Sequence, residues 1–454
     1  MQPVVTTAEM QAADAAAPVP VEVLVRRAGW AVAEAAVRML GGAYGRRVVV
    51  LAGKGNNGAD GRAAAAVLAR RGAKVTVVGA GTAAVLPAGD LVIDAAYGTG
   101  FRGSFDPPDP GGAPVLAVDI PSGVKGDTGA VAGGALRATR TVTMAALKPG
   151  LLLGAGPELA GAIEVADIGL PVGAPAAHLV QDADHAWLAP RPRATHKWAT
   201  AVWVVAGSPG MRGAPLLCTR AAMRSGAGMV RIGSPGVRAA DQPPGEAVAI
   251  GLPEAGWADV VAGELGRVKA LVVGPGLGQS DAARDGVRAL LACATVPTVV
   301  DADGLNVLGP AADAAAVLRA RPPGAGAVVL TPHDGEFARL AGHPPGEDRV
   351  ADVRDLAALT GAVVLLKGPT TVVADPSGRV LFAAAGSPRL ATAGTGDVLS
   401  GMIGAFLARG LDALDAAALA AHVHGRAAAL GADGLVAGDL PDLIPLAIPM
   451  GTGG

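Results

Sequence analysis

Short runs of valine, isoleucine and leucine recur along the chain, separated by alanine-rich segments that also carry charged residues. In the first half the apolar runs cover residues 46–53, 73–81, 90–98 and 113–123. Their length and their lack of polar alternation predict buried strands, and the alanine-rich residues 60–72 predict a helix between the first two. Continuous apolar strands joined by helices are typical of a parallel sheet that is covered on both faces.

The same alternation starts again in the second half, where the apolar runs cover residues 200–208, 269–278, 295–304, 326–336 and 361–369. Between the halves lies a proline-rich stretch without periodicity, and we place a linker there, near Asp182 to Pro190. The sequence therefore predicts two α/β domains, residues 1–183 and 184–454. Each is expected to bind ligands where strands end in glycine-rich loops.

Composition and charge narrow the class of protein. The chain has 454 residues and a formal net charge of −2, which argues against a surface for nucleic acid or anionic membranes. No apolar run reaches the length of a membrane span without interruption, and the first residues lack the pattern of a secretory signal. The two cysteines, Cys218 and Cys293, are far apart in sequence and predict reduced thiols. We therefore expect a cytoplasmic protein that binds neither nucleic acid nor membranes.

Residues 53–61, GKGNNGADG, follow a predicted strand and lead into a predicted helix. Their first six residues match the G-x-G-x-x-G pattern of dinucleotide-binding proteins, which on its own favours a dehydrogenase. A dehydrogenase also needs an acid at the end of the second strand to hold the ribose, and residues 73–81 contain none. A second match, residues 98–103, runs into a proline-rich stretch that cannot start a helix. Together the matches indicate a phosphate-rich ligand without hydride transfer.

Oxygen-bearing side chains cluster at the ends of three predicted strands. They are Asn56, Asn57 and Asp60, then Asp94, then Asp119 and Ser122. Carboxylate, amide and hydroxyl oxygens that converge at one sheet edge suit a hard monovalent or divalent cation. The alternative is that these are ordinary turn and cap residues, as Asn, Asp and Ser often are. Three such clusters at one sheet edge favour the ligand site.

Residues 389–402, RLATAGTGDVLSGM, place three glycines and two threonines around Asp397. The stretch predicts a loop that opens a helix whose first amides bind an anion. A carboxylate there can take a proton from a hydroxyl that receives phosphate. The alternative is that Asp397 is only a helix N-cap, although a cap does not need the flanking glycines. Because the chain lacks the G-x-x-x-x-G-K-[ST] motif, this chemistry indicates a kinase-like step outside the P-loop class.

The first half resembles the NAD(P)H-hydrate epimerases in four successive segments, residues 53–61, 92–103, 115–129 and 141–152. The resemblance implies a Rossmann-like three-layer αβα domain that holds a potassium ion and interconverts the R and S epimers of hydrated NAD(P)H. The ion ligands that it implies are Asn57, Asp94 and Ser122. The hydrate contacts that it implies are Asn56, Asn57, Gly58, Ala59, Asp60, Gly98, Thr99, Gly100, Phe101, Arg102, Gly103, Ser104 and Asp119.

Asp119 and Ala59 differ from the other residues of this set. We choose Asp119 as the acid/base group of the epimerisation. Ala59 stands where the family usually has glycine, and a methyl group is expected to crowd a close approach of the backbone to the ligand.

The second half resembles the ribokinase-like ADP/ATP-dependent NAD(P)H-hydrate dehydratases in successive segments, residues 196–230, 271–278, 299–308, 328–340 and 390–402. The resemblance implies a ribokinase-like αβα domain. The implied hydrate contacts are Ala214, Gly276, His333 and Asp397. The implied contacts to the adenine nucleotide, together with Mg²⁺, are Lys367, Gly368, Pro369, Thr370, Thr371 and Gly396. Two departures, Ala206 and Ala393, replace glycines that the family usually has, and neither removes a reacting group.

The two resemblances together imply repair of hydrated NAD(P)H. Phosphorylation of the ring hydroxyl turns it into a good leaving group, so loss of phosphate restores the double bond. The family dehydratase accepts one epimer, which the epimerase supplies from the other. We expect a homo-oligomer that binds NADHX or NADPHX and ADP or ATP, the choice of nucleotide being open. The alternatives are a vitamin-precursor kinase fused to a nucleotide-binding module, and a non-catalytic nucleotide sensor.

The remaining polar and aromatic residues give weaker signals. His422 and His424 stand two apart on an alanine-rich helix and point to different faces, so we do not predict a metal site there. Trp198, Trp203 and Trp257 are predicted to be packing residues.

Overall fold

The computed structural model describes residues 1–243 and 245–448. The chain divides into two compact units, an N-terminal unit of residues 2–177 and a C-terminal unit from His178 onwards. Both units are α/β, as the sequence predicts. The domain limits 1–183 and 184–454 place the division a few residues later and stay a proposal.

The N-terminal unit contains a six-stranded parallel sheet in the order β3-β2-β4-β5-β6-β7. The six strands of this sheet are β2 (Arg47–Ala52), β3 (Lys74–Gly79), β4 (Leu91–Ala95), β5 (Val115–Val118), β6 (Arg140–Met144) and β7 (Ala162–Ala166). A further short strand, β1 (Gln2–Val4), precedes them in the chain and is not part of this sheet. Its helices are α1 (Thr7–Ala15), α2 (Val21–Leu40), α3 (Asn56–Arg70), α4 (Pro149–Leu152) and α5 (Gly156–Ala160). No helix follows residues 98–103 before β5, as expected.

The apolar pattern predicts the centre of this sheet correctly and its edge wrongly. Every residue of β4 and β5 is buried, and α2 and α3 cover one face of the sheet with alanine and valine side chains. The prediction that residues 73–81 form a buried strand is wrong, because β3 lies at the edge of the sheet and its side chains are exposed or half-buried. A valine run does not distinguish an edge strand from a central one.

The C-terminal unit is built on a larger sheet, in the order β8-β17-β16-β15-β14-β13-β12-β9-β10-β11. The strands are β8 (Ala177–Leu179), β9 (Ala201–Val205), β10 (Met229–Pro235), β11 (Val248–Leu252), β12 (Ala270–Val273), β13 (Thr298–Val300), β14 (Val328–Leu330), β15 (Val363–Leu366), β16 (Thr371–Ala374) and β17 (Val380–Ala383). The helices are α6 (Gly213–Arg224), α7 (Trp257–Ala262), α8 (Asp281–Cys293), α9 (Asp303–Leu308), α10 (Ala311–Arg319), α11 (Asp334–Ala341), α12 (Arg349–Thr360), α13 (Thr395–Ala408), α14 (Ala413–Leu430) and α15 (Leu440–Ala447).

This sheet is parallel from β11 to β15 and antiparallel from β15 to β17. The expectation of a purely parallel sheet therefore holds only for its first part. β15 and β16 are joined by a four-residue turn, which is too short for the crossover that parallel strands need.

The core against this sheet is formed by α13 and α14, which are buried along nearly their whole length. Trp203 and Trp257 are fully buried packing residues, as predicted. Both His422 and His424 are buried on α14, and burial, with the charge of Lys367, lowers the pKa of His424 to about 4. Across the described ranges, none of the helices combines the length and apolar character that crossing a membrane requires.

Candidate active sites

A cavity of about 830 Å³ opens where β2, β4 and β5 of the N-terminal unit end. Of the residues predicted to contact the hydrate, those that line it are Asn56, Asn57, Asp60, Gly98, Thr99, Gly100, Phe101 and Asp119. The predicted contacts Gly58, Ala59, Arg102, Gly103 and Ser104 do not line it. Ala59 lies half-buried in α3, so its methyl group does not narrow the cavity.

In the turn between β2 and α3, two backbone segments lie so close together that only glycine fits between them. A Cβ atom on Gly58 would lie 2.0 Å from the carbonyl oxygen of Gly53, so Gly58 shapes the turn. The N-cap of α3, Gly55, provides no side-chain hydrogen bond. The first N–H groups of α3 therefore have no side-chain cap and can bind an anionic group of a ligand.

Of the three residues predicted to bind potassium, Asn57 lines the cavity, whereas Asp94 and Ser122 do not. Asp94 is fully buried, and its carboxylate accepts hydrogen bonds from the hydroxyl of Ser122 at 2.6 Å and from its N–H at 2.8 Å. Burial raises the pKa of Asp94 in spite of these hydrogen bonds. The Ser122 hydroxyl also accepts a hydrogen bond from the N–H of Tyr97. Gly98, which follows Tyr97, lies next to Asn57, because a Cβ atom on Gly98 would be 3.5 Å from Oδ1 of Asn57.

The side chain of Asn57 also indicates a ligand at this position. Both polar atoms of its amide are buried and have no hydrogen-bond partner, which is unusual for a buried amide. The cluster thus combines one buried carboxylate, one hydroxyl and one unpartnered amide. This donor set fits a hard cation that takes oxygen ligands.

Asp119 follows β5 in a left-handed conformation with φ of 68°, which is rare for a residue other than glycine. Its Oδ1 accepts from Nζ of Lys148 at 2.5 Å, and from the hydroxyl of Thr143 and the N–H of Met144 at 3.2 Å each. The side chain of Lys148 is 1% exposed and that of Asp119 is 15% exposed. Because these hydrogen bonds all fall on Oδ1, the other carboxylate oxygen of Asp119 remains available to a ligand in the cavity.

Asp60 lies in α3 and lines the same cavity without a hydrogen bond or ion pair to the part of the chain that the structure describes. Burial, and then the negative charges of Asp119 and Asp14, raise the pKa of Asp60 to about 8. Asp60 is therefore mostly protonated at neutral pH. The two carboxyl groups thus differ in environment, since Asp119 is paired with an ammonium and Asp60 is not.

The helix that carries Asp397 begins as the sequence predicts. Its N-cap is Gly394 with φ of 92°, and Asp397 is the third residue of α13. The interpretation of Asp397 as a helix N-cap is therefore wrong. Burial, and then the charge of Asp301, raise the pKa of Asp397 to about 7. Near neutral pH this carboxylate can accept a proton at the uncapped start of a helix, where an anion binds well.

Lys367 stands beside this helix start. A Cβ on Gly396 would lie 3.4 Å from Nζ of Lys367, and Nζ donates to Oδ1 of Asp301 at 2.7 Å. Nζ also lies 3.9 Å from Oε2 of Glu336. Although burial opposes it, the charges of Asp301 and Glu336 raise the pKa of Lys367. A fully charged ammonium is thus fixed next to the amides of α13.

The other predicted nucleotide contacts follow Lys367 in the turn before β16. Gly368 and Pro369 are exposed, Thr370 is buried and Thr371 begins β16. A guanidinium N–H of Arg349 donates to the carbonyl of Lys367 at 3.2 Å. The turn is therefore open to solvent on one side and anchored by α12 on the other.

The predicted hydrate contacts of the C-terminal unit fall into two groups. A Cβ on Gly276 would lie 3.2 Å from that of Ala214, and Leu217, one turn further along α6, lies against Gly394. His333 is exposed and caps α11, accepting from the N–H groups of Gly335 and Glu336. The structure thus places Ala214 and Gly276 on the α6 side of Asp397 and His333 on the Lys367 side. The ligand role of His333 stays a prediction, and its capping role is clear.

Sequence reasoning did not single out four charged residues of these sites. They are Asp14 and Lys148, which line the cavity of the N-terminal unit, and Asp301 and Glu336, which contact Lys367. Asp301 follows a predicted strand directly and could have been selected by that position. Lys148 and Glu336 lie in the segments 141–152 and 328–340 that carry the family resemblances, but their immediate neighbours do not mark them as site residues, and Asp14 lies outside these segments.

Comparison with known proteins supports both halves. A family model described as NAD(P)H-hydrate dehydratase matches residues 202–449, and one described as YjeF-related protein N-terminus matches residues 21–87 and 82–150. The bifunctional NAD(P)H-hydrate repair enzyme Nnr of Mycobacterium leprae is 40% identical over 462 residues, covering 94% of this chain and 93% of that protein. The protein of the same name from Mycobacterium tuberculosis strain H37Rv is 41% identical over 445 residues, 88% of each.

Among solved structures, a ribokinase-like superfamily protein from Enterococcus faecalis aligns with a TM-score of 0.50 at 21% identity, covering 60% of this chain and 95% of its own. That likeness supports the fold alone. The identity to the two mycobacterial proteins extends over nearly the whole chain and both units. The chain belongs to the family of bifunctional NAD(P)H-hydrate repair enzymes.

Proposed function

We propose that this protein repairs hydrated NAD(P)H in two steps. The N-terminal unit interconverts the R and S epimers, and the C-terminal unit dehydrates the S epimer with the help of ADP or ATP. The observation that carries the second step is Asp397, whose pKa of about 7 suits a base at the uncapped start of α13, beside the Lys367 ammonium. Membership of the repair family supports both steps.

In the dehydration, Asp397 takes the proton of the ring hydroxyl while the terminal phosphoryl group of the nucleotide is transferred to that oxygen. Lys367 and the first amides of α13 stabilise the charge on the phosphoryl group. The carbon–oxygen bond of the phosphorylated hydrate then breaks with its electron pair on phosphate, and the neighbouring ring carbon loses a proton to solvent, so the ring double bond is restored. With ADP the products are NAD(P)H, AMP and phosphate. Ala214, Gly276 and His333 are the proposed contacts to the hydrate, and Lys367 to Thr371 with Gly396 hold the nucleotide.

Incubating the protein with mixed NADH hydrates and each nucleotide in turn tests this proposal. We expect recovery of NADH absorbance from both epimers, with free phosphate and the shortened nucleotide as products. A stable phosphorylated product without NADH would instead support a vitamin-precursor kinase. Recovery from only one epimer would refute the function proposed for the N-terminal unit. Homo-oligomeric assembly and cytoplasmic location stay predictions.

Magnesium is proposed to enter with the nucleotide. Within residues 1–243 and 245–448 there is no group of three or more His, Cys, Asp or Glu side chains that could hold a metal ion. Asp301 is committed to Lys367, Thr331 and Ser400. Mg²⁺ keeps several waters and commonly binds through substrate phosphates, and we therefore assign it no protein ligand.

Potassium is proposed to bind between Asn57, Asp94 and Ser122. The unpartnered amide of Asn57 and the buried carboxylate of Asp94 support this assignment. When bound, the ion would balance the charge of Asp94 and fix the loop of residues 98–101 against α3. The phosphate-binding turn and the wall of the cavity would then be held in one arrangement.

A stability measurement tests the potassium site without relying on activity. Potassium at ten times its dissociation constant is expected to stabilise the N-terminal unit by about 1.4 kcal/mol relative to a bulky organic cation. Asp94→Asn should remove this response, because it removes the charge that the ion neutralises. The control Asp90→Asn, which changes a half-buried carboxylate paired with Arg47, should keep it. An unchanged response in Asp94→Asn would refute the site.

A further inference from the structure

We propose that Asp60 and Asp119 are the acid and the base of the epimerisation, acting on opposite faces of the hydrated ring, with Lys148 balancing the charge of Asp119. The inference rests on the function proposed for the N-terminal unit and assigns the roles within it. It starts from the contrast between two carboxyl groups that share one cavity. Asp119 has three hydrogen-bond donors on Oδ1, one of them an ammonium, whereas Asp60 has none.

The position of the two carboxyl groups in the sheet supports action from two sides. Asp60 is carried by the helix after β2, and Asp119 follows β5 directly. β4 lies between these strands, so the strands are separated by two sheet spacings, about 10 Å. The loop after β4, residues 98–101, lines the cavity between them. A ring bound between these two strand ends would present one face toward Asp60 and the other toward Asp119.

Two residues secure the charges of this arrangement. The ammonium of Lys148 donates to Asp119, to the hydroxyl of Thr143 at 2.8 Å and to the carbonyl of Met144 at 2.9 Å, so all its protons are used and it does not act as the acid. Asp14, on α1, faces the same cavity, and burial with the charge of Asp119 raises its pKa. The positive charge thus compensates Asp119, while Asp60 is left neutral among negative neighbours.

The hydrate makes this division of roles useful. Water added next to the ring nitrogen gives a carbon that carries both the hydroxyl and the nitrogen. The carbon–oxygen bond breaks with its electron pair on oxygen, Asp60 gives its proton to that oxygen, and water leaves. The nitrogen lone pair forms a carbon–nitrogen double bond with a positive charge. Water then attacks the other face, the nitrogen regains its pair, and Asp119 accepts the proton of the attacking water.

The reverse reaction uses the same groups with exchanged roles, since the proton has moved from Asp60 to Asp119. Each epimerised molecule therefore contains an oxygen atom from solvent. A route that opens the ring at the carbon–nitrogen bond would instead keep the original oxygen. Isotopic labelling of the solvent distinguishes the two routes.

The experiment uses the whole chain, a single epimer of NADH hydrate and water enriched in ¹⁸O, with buffer alone as the measure of spontaneous exchange. The wild type is expected to produce the opposite epimer with ¹⁸O in the ring hydroxyl at early times. Asp60→Asn is expected to slow this exchange about 10²-fold, as for loss of a positioned acid. Asparagine imitates the protonated carboxyl group in shape, so the fold is expected to be kept.

Two controls separate the possible outcomes. The thermal unfolding transition of the N-terminal unit, compared with that of the wild type, reports whether Asp60→Asn is folded, and Asp106→Asn, at an exposed carboxylate outside the cavity, should exchange like the wild type. Opposite epimer without ¹⁸O, or wild-type exchange by Asp60→Asn, would overturn the assignment while leaving the epimerase function intact. Wild-type exchange no faster than buffer would refute the epimerase function itself.

Discussion

Replacing Asp397 by asparagine is expected to lower the rate of nucleotide-dependent dehydration by about 10⁴-fold, the upper range for loss of a positioned general base. Asp397 stands in the first turn of α13, where burial and then the charge of Asp301 raise its pKa to about 7. A base with a pKa near the working pH combines a large ionised fraction with a strong tendency to accept a proton. Asparagine keeps the shape and cannot accept the proton.

The pH dependence of the wild type follows from the same group. The rate is expected to rise as the pH passes through about 7, because only the ionised carboxylate of Asp397 accepts the hydroxyl proton. The charged groups that act on it are Asp301, Lys367, Asp303 and Glu336. The residual activity of Asp397→Asn should lack this rise, and a retained rise would show that another group is the base.

Stability should not explain the loss of activity. Because the pKa of Asp397 is higher in the folded protein than its ordinary value of 3.8, the folded state binds the proton more tightly. Folding stability is therefore lost as the pH rises from about 4 to about 7. Asparagine removes this loss, so Asp397→Asn is expected to be at least as stable as the wild type above pH 7, as measured by thermal unfolding.

The matched control is Asp415→Asn. Asp415 is the third residue of α14, as Asp397 is of α13, and burial also raises its pKa. It is not part of the proposed site, so this variant should dehydrate the S epimer at the wild-type rate. Equal loss in both variants would indicate a general effect of such carboxylates, and full activity in Asp397→Asn would refute its role as base.

Much of both sites can be predicted from sequence because the local pattern dictates it. A strand that ends in glycines and leads into a helix places polar residues such as Asn57 at one sheet edge. Asp94 is predicted from its position at the end of a strand, and Asp397 from the glycine-rich loop that opens its own helix. The ion pairs that surround these site residues are not predictable from the sequence. Lys148 and Asp119 are 29 positions apart in sequence, and Lys367 and Asp301 are 66 positions apart. Neither ion pair produces a recognisable pattern in the local sequence.

The fold shows the same division between local and non-local information. Apolar runs locate the central strands, since burial on both faces requires them. They do not show which strand lies at an edge, so the prediction of a buried strand at residues 73–81 is wrong. They also do not show strand direction, so the antiparallel pairing of β16 and β17 is not predictable from them.

Replacing Lys367 by methionine is expected to lower the rate of dehydration by about 10³-fold, comparable to loss of a charge-stabilising donor in other active sites. Its ammonium lies next to Gly396 and the first amides of α13, where the transferred phosphoryl group is proposed to sit. Methionine retains the length of the side chain and removes the charge. The control Lys269→Met changes an exposed lysine of the same unit and should leave the rate unchanged, and an unaffected rate in Lys367→Met would refute the assignment.

Asp301 is expected to act through Lys367, and a double-mutant cycle measures this coupling. Its buried carboxylate accepts from Lys367 at 2.7 Å, from the hydroxyl of Thr331 at 2.8 Å and from that of Ser400, on α13, at 2.7 Å. It therefore fixes the ammonium and the phosphate-binding helix to the same strand end. Asp301→Asn alone should slow dehydration, yet add little in the Lys367→Met background, because residues in one network are not additive. Full additivity of the two losses would show that Asp301 serves the reaction independently of Lys367.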